Sequence, residues 1–207
     1  MSREEQSSSA TASDTAMELP LFPLNMVLFP EGPLPLRIFE PRYVDLVKHC
    51  MRQRSSFGVL LIRAGSEAGA VASTADIGTT ARIEDFYQLP DGLLGITCIG
   101  ERKFRVKRRW SQSDGLNIGE IEWLETEKAS ALPAEYAHLG ELVRKVLPEL
   151  GELYANMSLR PADAGWVGSR LAEILPIGLL DKQHCLEIED PVQRLAWLNP
   201  LIKRSEE

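Results

Sequence analysis

The sequence has few cysteines and no long apolar run, and both absences limit what the protein can be. Its three cysteines, Cys50, Cys98 and Cys185, are odd in number and far apart in the sequence, so we expect no disulfide framework. Apolar runs such as FGVLLI are far shorter than the about 20 residues that cross a bilayer. Residues 1–17 contain no apolar segment typical of a signal peptide. We therefore predict a cytoplasmic protein.

The common catalytic motifs are missing as well. The chain contains no GxxxxGK[ST] phosphate-binding loop, no GxSxG nucleophile turn, no CxxC pair and no HExxH zinc motif. Two His–Cys pairs, His49–Cys50 and His184–Cys185, could in principle supply zinc ligands. Both pairs fall in predicted helices, where adjacent side chains point about 100° apart and chelate poorly. We therefore expect no metal, no cofactor and no enzymatic activity.

The chain carries a net charge of −7, which gives no overall attraction to nucleic acid. The segment RKFRVKRR at 102–109 is locally cationic, and the alternation of Phe104 and Val106 with cations predicts a strand with one apolar face. This strand is either an anion-binding surface for RNA or an acidic polypeptide, or a charged edge strand that resists pairing with other chains. The candidate anion-binding residues are Arg102, Arg105, Lys107 and Arg109.

Proline is concentrated in the early apolar stretch, where six of the 13 prolines lie between Pro20 and Pro41. Because proline cannot donate to a strand ladder, we expect short strands at the rim of a sheet there. LPLFPL and MVLF are the strand candidates, and PEGP is a predicted turn in which Gly32 takes a positive φ.

The two halves of the chain have different periodicities. A helix beginning at Pro41 is followed by apolar strand patterns, a hairpin turn at PDG, and a small-residue loop over 63–78 that we expect to pack against nothing. After Lys128 the apolar residues recur at helical spacing, and Pro148 should split the first of these helices. The predicted strands after the helix are FGVLLI, TTARIEDFYQL, LLGITCIG, KFRVKRRW and LNIGEIEWLE, and the later predicted helices lie around 139–157, 167–174, 181–187 and 192–202.

Strands followed by helices predict an α+β fold. We divide the chain into a disordered tail over 1–17, a small β-barrel or sheet with one helix over 18–127, and an α-helical bundle over 128–207.

The order of these blocks resembles the N-terminal domain of Lon proteases, particularly the short bacterial proteins that contain this domain alone. The matching stretches run from LPLFPLNMVLFPEGPLPLRIFEPRYVDLV near the start to DKQHCLEIEDPVQRLAWL near the end. The resemblance implies a PUA-like β-barrel followed by a helical bundle. The chain departs from the family at Glu31, where the family often has glycine.

The resemblance also implies a function. Full-length members carry an ATPase module and a Ser–Lys protease module, and we expect neither in a chain that ends at Glu207. The N-terminal region of Lon helps to recognise substrates, which implies a non-catalytic module that binds unfolded or exposed apolar polypeptides, alone or with a protease complex. We place the candidate apolar surface in a groove between barrel and bundle near Phe29, Phe39 and Tyr43. RNA binding through the cationic strand is the alternative.

Overall fold

The structure is a computed structural model that describes residues 17–65, 67, 73–155 and 157–204. The predicted disordered tail lies outside the described residues except for its last residue, which begins the first strand. The described strands form a single seven-stranded sheet. They are β1 (Met17–Leu24), β2 (Pro33–Ile38), β3 (Phe57–Ala64), β4 (Ser73–Thr74), β5 (Ile77–Gln88), β6 (Leu94–Ser111) and β7 (Asn117–Trp123).

Five of the strands close into a barrel. The order is β1-β7-β6-β5-β3, and β1 closes the ring by pairing with β3 in parallel. The barrel interior holds a small apolar cluster that includes Leu21, Leu60 and Phe104. Gly58 makes room for it, because a Cβ atom at this position would lie 2.6 Å from Phe104 Cζ. The predicted PUA-like barrel is therefore confirmed.

The prolines of β1 and β2 occupy positions with a ladder partner on one side only. Pro20 pairs with Ile118 of β7, and Pro23 pairs with Leu60 of β3. Pro33 and Pro35 lie on β2, which pairs with β6 alone. A missing N–H costs little where the backbone has no second neighbour, so the expectation that proline marks the rim is confirmed.

One long strand replaces two predicted ones. LLGITCIG and KFRVKRRW are both part of β6, which is 18 residues long. Gly100, at the junction, does not end the strand: a Cβ atom there would clash with the Phe29 carbonyl, so glycine allows the preceding loop to approach. Arg105 is the last β6 residue paired with β5, and residues 108–111 are paired with β7 alone. The interpretation as a charged edge strand is therefore wrong for the first part of the cationic segment and holds for Arg108 and Arg109.

The loop between β1 and β2 also differs from prediction. MVLF is not a strand, although its last residue, Phe29, is fully buried. The residue with positive φ is Glu31 (64°) and not Gly32. Backbone hydrogen bonds from Glu31 N to Gly100 O (2.7 Å) and from Gly100 N to Gly32 O (2.9 Å) hold the loop on β6. Gly32 is needed for space, since a Cβ atom there would overlap Glu173 Oε1.

The helices lie where the apolar periodicity predicts them, and Pro148 splits the first helix of the bundle as expected. Asp190 Oδ1 accepts a hydrogen bond from Val192 N (2.8 Å) at the start of the last helix, as the sequence indicates. The α-helices are α1 (Pro41–Gln53), α2 (Ala137–Val146), α3 (Glu152–Ala155), α4 (Ala164–Ile174), α5 (Leu179–Glu187) and α6 (Pro191–Arg204).

Barrel and bundle share one apolar core. Phe29, Leu61 and Ala75 from the first half pack in the same cluster as Leu171 and Leu198 from the bundle. Ala75 is fully buried, so the prediction that the loop over 63–78 packs against nothing is wrong at this residue. The boundary between 127 and 128 stays a prediction.

Candidate functional site

A cleft of about 140 Å³ lies between the barrel and the bundle, where a groove was predicted. Its walls come from β6, from the segment over 125–129 and from the start of α4. Phe29, Phe39 and Tyr43 are not among its lining residues. The lining is mostly charged, and includes Glu31, Glu101, Arg102, Lys128, Arg160 and Asp163. The cleft therefore does not resemble an apolar binding groove.

A buried ion network forms one side of this cleft. Glu127 Oε1 accepts a hydrogen bond from Lys103 Nζ at 2.8 Å, and Glu127 Oε2 accepts one from Arg194 Nη1 at 3.0 Å. The side chains of Lys103 and Arg194 are 6% and 1% exposed. The two cations also donate to the carbonyls of Leu186 and Cys185 in α5, at 3.3 and 2.8 Å. The network fastens the barrel strand β6 to the last two helices.

The charges in this network favour the ionised carboxylate. Burial alone would raise the pKa of Glu127, but the hydrogen bonds and charges of Arg194 and Lys103 outweigh it and leave the pKa below its ordinary value. Since both cations donate to Glu127 and to carbonyls of α5, the network has a structural role.

A second ionic cluster joins α4 to the loop between β1 and β2. Arg170 is fully buried and donates from Nη2 to the Pro30 carbonyl at 2.8 Å. Its Nε lies 3.1 Å from Glu173 Oε2, and neither atom has a hydrogen-bond partner, so this contact is ionic only. Tyr154 hydrogen bonds to Glu173, and Lys182 Nζ donates to the Glu173 carbonyl at 2.6 Å.

We expect Glu173 to make stability depend on pH. Burial raises the pKa of Glu173, while the charges of Arg170 and Lys182 and the Tyr154 hydrogen bond lower it. Burial is the larger effect and leaves the pKa at about 6. Between pH 4.5 and 6 the folded protein keeps a proton that the unfolded chain has lost, so stability falls as pH rises through this range. Titration of Glu173 should lower the free energy of unfolding by about 2 kcal/mol as the pH rises through this range.

Urea unfolding of wild type and Glu173→Gln across this pH range measures the effect. The difference in unfolding free energy between the two proteins should change by about 2 kcal/mol, with wild type relatively more stable at the acid end. Parallel pH profiles of the two proteins would show that the carboxyl does not titrate in this range.

The predicted apolar site residues do not share a surface. Phe29 is fully buried in the shared core, and Tyr43 is 3% exposed. The Tyr43 ring stacks on Phe22 with 3.8 Å between ring centroids, between α1 and the barrel. These two aromatic rings hold the fold together and cannot contact a ligand, so only Phe39, which is 58% exposed, remains a candidate.

Exposed aromatic residues occur at one end of the sheet, with the adjacent strand residues Phe86 and Tyr87 pointing to opposite faces of β5. Phe86 and Tyr87 are 57% and 40% exposed and end β5 just before the PDG turn. On β6, Ile96 is paired with Phe86 of β5 on one side and with Leu36 of β2 on the other. Phe39 directly follows β2 and therefore lies at the same end of the sheet. We call Phe39, Phe86 and Tyr87 the hairpin-end surface.

Sequence reasoning missed Phe86 and Tyr87, although a signal was present. Adjacent strand residues point to opposite faces, so a Phe–Tyr pair beside a turn must expose at least one ring unless both faces are covered. The PDG turn itself is confirmed by the hydrogen bond from Leu89 N to Leu93 O (2.9 Å) and by Gly92 at φ 85°.

The cationic strand is largely neutralised by neighbouring carboxylates and carbonyls. Lys107 forms an ion pair with Glu122 on β7, and Arg109 forms one with Asp76. Arg102 donates to the Leu124 carbonyl and lies over the Trp123 ring. Arg105 has no ion pair within 4.0 Å among the described residues. The pKa of Glu122 is lowered mainly by Lys107, and the charge of Arg105 lowers it further. Along this strand the described residues therefore form no cluster of uncompensated cations for RNA.

The two His–Cys pairs do not meet. Cys50 lies on the buried face of α1, and Cys185 lies in the core shared with the bundle. Burial raises the pKa of Cys185 to about 11, which disfavours the thiolate that zinc requires. Within the described residues, no three His, Cys, Asp or Glu side chains are grouped as metal ligands. In the same part of the chain, no helix has both the length and the apolar character needed to span a bilayer.

Known structures share this architecture. The Lon N-terminal domain protein from Xanthomonas campestris is 39% identical, with a TM-score of 0.74 over 89% of this chain and 98% of that chain. The N-terminal domain of Mycobacterium avium complex Lon protease is 16% identical, with a TM-score of 0.58 over 88% of this chain and 96% of that chain. The second likeness concerns the fold alone. These neighbours define the class as an α+β protein with a Lon N-terminal fold.

The family follows from the sequence comparison. The model of the ATP-dependent protease La (LON) substrate-binding domain matches residues 18–204, and the chain belongs to this family. The Lon protease of Cytophaga hutchinsonii is 26% identical over 196 residues, which are 90% of this chain and 24% of that protein. The chain thus spans about a quarter of the length of the curated relatives it matches.

Proposed function

We propose that this chain binds apolar segments of unfolded polypeptides through the hairpin-end surface and performs no chemistry of its own. The observation that carries the proposal is the exposure of three aromatic rings, Phe39, Phe86 and Tyr87, at one end of the sheet. Large apolar side chains exposed on both faces at one end of a sheet offer contact area to a partner that wraps around that end.

The chemistry of the hairpin-end surface suits a ligand of variable sequence. Aromatic rings offer large apolar contact areas at low entropic cost, and they do not require a particular hydrogen-bond pattern from the partner. The nearby charges of Arg37 and Asp91 pair with each other, so the surface does not select a charged ligand. Membership of a substrate-binding family supports a polypeptide as the ligand, with delivery to a protease complex as one use.

Replacing both Phe86 and Tyr87 with serine should weaken polypeptide binding at least tenfold, because exposed aromatic anchors contribute about 2 kcal/mol or more each at interfaces. The ligand to use is a reduced and alkylated disulfide protein that cannot refold, and the affinity is measured by fluorescence anisotropy. The variant should keep its melting temperature, since both rings are half exposed.

The matched control replaces Leu179 and Leu180 with serine. These residues are 39% and 68% exposed on α5 and lie outside the hairpin-end surface. Equal binding by wild type and both double variants would remove this surface from the mechanism. Equal loss in both variants would point to unspecific apolar adhesion.

A further inference from the structure

An apolar pocket of about 200 Å³ opens at the end of the barrel where β6 ends and β7 begins. It exists because β1 extends beyond the start of β7: Leu21 is the last β1 residue paired with β7, and Pro23 is paired with β3 only. Leu21 and Leu60, at the top of the barrel interior, form the floor of the pocket. Pro23 and Trp110 add apolar walls, and Trp110 is 37% exposed. We call this pocket the barrel mouth.

The polar groups at the barrel mouth leave one amide donor for a ligand. Asn117 is 6% exposed, and its Oδ1 accepts a hydrogen bond from Ser111 Oγ at 2.9 Å. Its Nδ2 has no hydrogen-bond partner within the described residues. Nδ2 is not one of the fully buried unpaired polar atoms, and Asn117 lines the pocket, so a ligand there can reach this N–H with a hydrogen-bond acceptor.

Among the described residues that line the barrel mouth, none carries an uncompensated charge. Arg109 lies at its rim, but the guanidinium donates to Thr74 Oγ1 and forms an ion pair with Asp76. A charged ligand therefore finds no partner there. An apolar group next to a neutral hydrogen-bond acceptor is complementary to these walls.

The size of the barrel mouth limits the ligand further. Sites for drug-sized molecules typically enclose about 300–1,000 Å³, which is more than this pocket offers. A single large side chain fits, and the backbone carbonyl beside it supplies the acceptor for Asn117 Nδ2. Barrel mouths are a recurrent place for such sites.

We propose that the barrel mouth binds one aliphatic or aromatic side chain of an extended polypeptide, whose backbone carbonyl accepts a hydrogen bond from Asn117. This inference rests on the proposed function and adds a second contact, at the opposite end of β6 from the hairpin-end surface. The mouth would select an apolar residue by shape, whereas the hairpin-end surface is tolerant of sequence.

The experiment uses the full chain and two Gly-Ser peptides that differ in one central residue, leucine or the similarly sized but polar asparagine. In NMR titrations the leucine peptide should shift the Asn117 carboxamide and Trp110 indole signals. The asparagine peptide should need at least a tenfold higher concentration, since burial of a leucine side chain corresponds to that ratio or more.

A plugging variant supplies the second measurement. Ser111 is exposed at the rim, so Ser111→Leu should fill the mouth, and it also removes the hydrogen bond to Asn117. Ser111→Ala removes the same hydroxyl without filling the mouth and should keep the preference for the leucine peptide. Ser113→Leu places the leucine side chain on an exposed turn outside the pocket. Ser111→Leu should remove the preference for the leucine peptide, and Ser113→Leu should keep it. Melting temperatures equal to that of wild type confirm that all three variants fold.

The outcomes separate the two proposals. Equal titration by the two peptides, or equal behaviour of the two leucine variants, overturns the barrel-mouth site while the unfolded protein still binds at the hairpin end. Absence of binding by both the peptides and the unfolded protein overturns the proposed function and this inference together.

Discussion

Replacement of Glu127 with alanine should lower the free energy of unfolding by about 3–5 kcal/mol, as is typical when one partner of a buried ion pair is removed. Glu127 is the shared acceptor for Lys103 and Arg194, whose side chains are 6% and 1% exposed. Without the carboxylate, two positive charges stay in the interior beside each other. Urea unfolding followed by circular dichroism measures the loss.

The matched control is Glu125→Ala, two residues away on the same segment. Glu125 is exposed and takes no part in the network, so its replacement should change stability by less than about 0.5 kcal/mol. Similar stabilities of the two variants would show that solvent reaches the cations and replaces the carboxylate.

Replacement of Phe104 with alanine should also cost about 3–5 kcal/mol, the usual range for truncation of a fully buried phenylalanine. Phe104 is fully buried inside the barrel, where its ring lies against Gly58 and Gly78. Five surrounding strands cannot collapse onto the space that the ring leaves, because their ladder is closed. The midpoint of urea unfolding gives the measurement.

Phe86→Ala makes the same substitution at an exposed position and serves as the comparison for Phe104→Ala. Phe86 is 57% exposed, so we expect a change in stability of less than about 0.5 kcal/mol. A loss below about 1 kcal/mol for Phe104→Ala would mean that the barrel interior rearranges to fill the space.

Much of the fold was predictable because it depends on local pattern. The alternation around Phe104, the PDG turn and the helical spacing after Lys128 each have one physical interpretation, and the structure confirms all three. The resemblance to the Lon N-terminal domain supplied the closed barrel, which local pattern does not encode.

The errors concern contacts between residues far apart in the chain. Gly100 looks like a strand end, and only the approach of Phe29 from the preceding loop shows why glycine is there. Glu31 takes the left-handed backbone conformation because hydrogen bonds to β6 fix the loop around it. Phe29 and Tyr43 look as available to a ligand as Phe39 does, until packing covers the first two.

The edge of β2 limits how another extended chain can associate with the sheet. Pro33 and Pro35 lie on this edge strand, and their lack of N–H groups leaves its outer side without donors at two positions. An extended apolar chain held nearby cannot add to the sheet there in regular register. If the domain binds unfolded polypeptides as proposed, it would hold aggregation-prone segments by their side chains without offering a template on which they grow into cross-β fibrils.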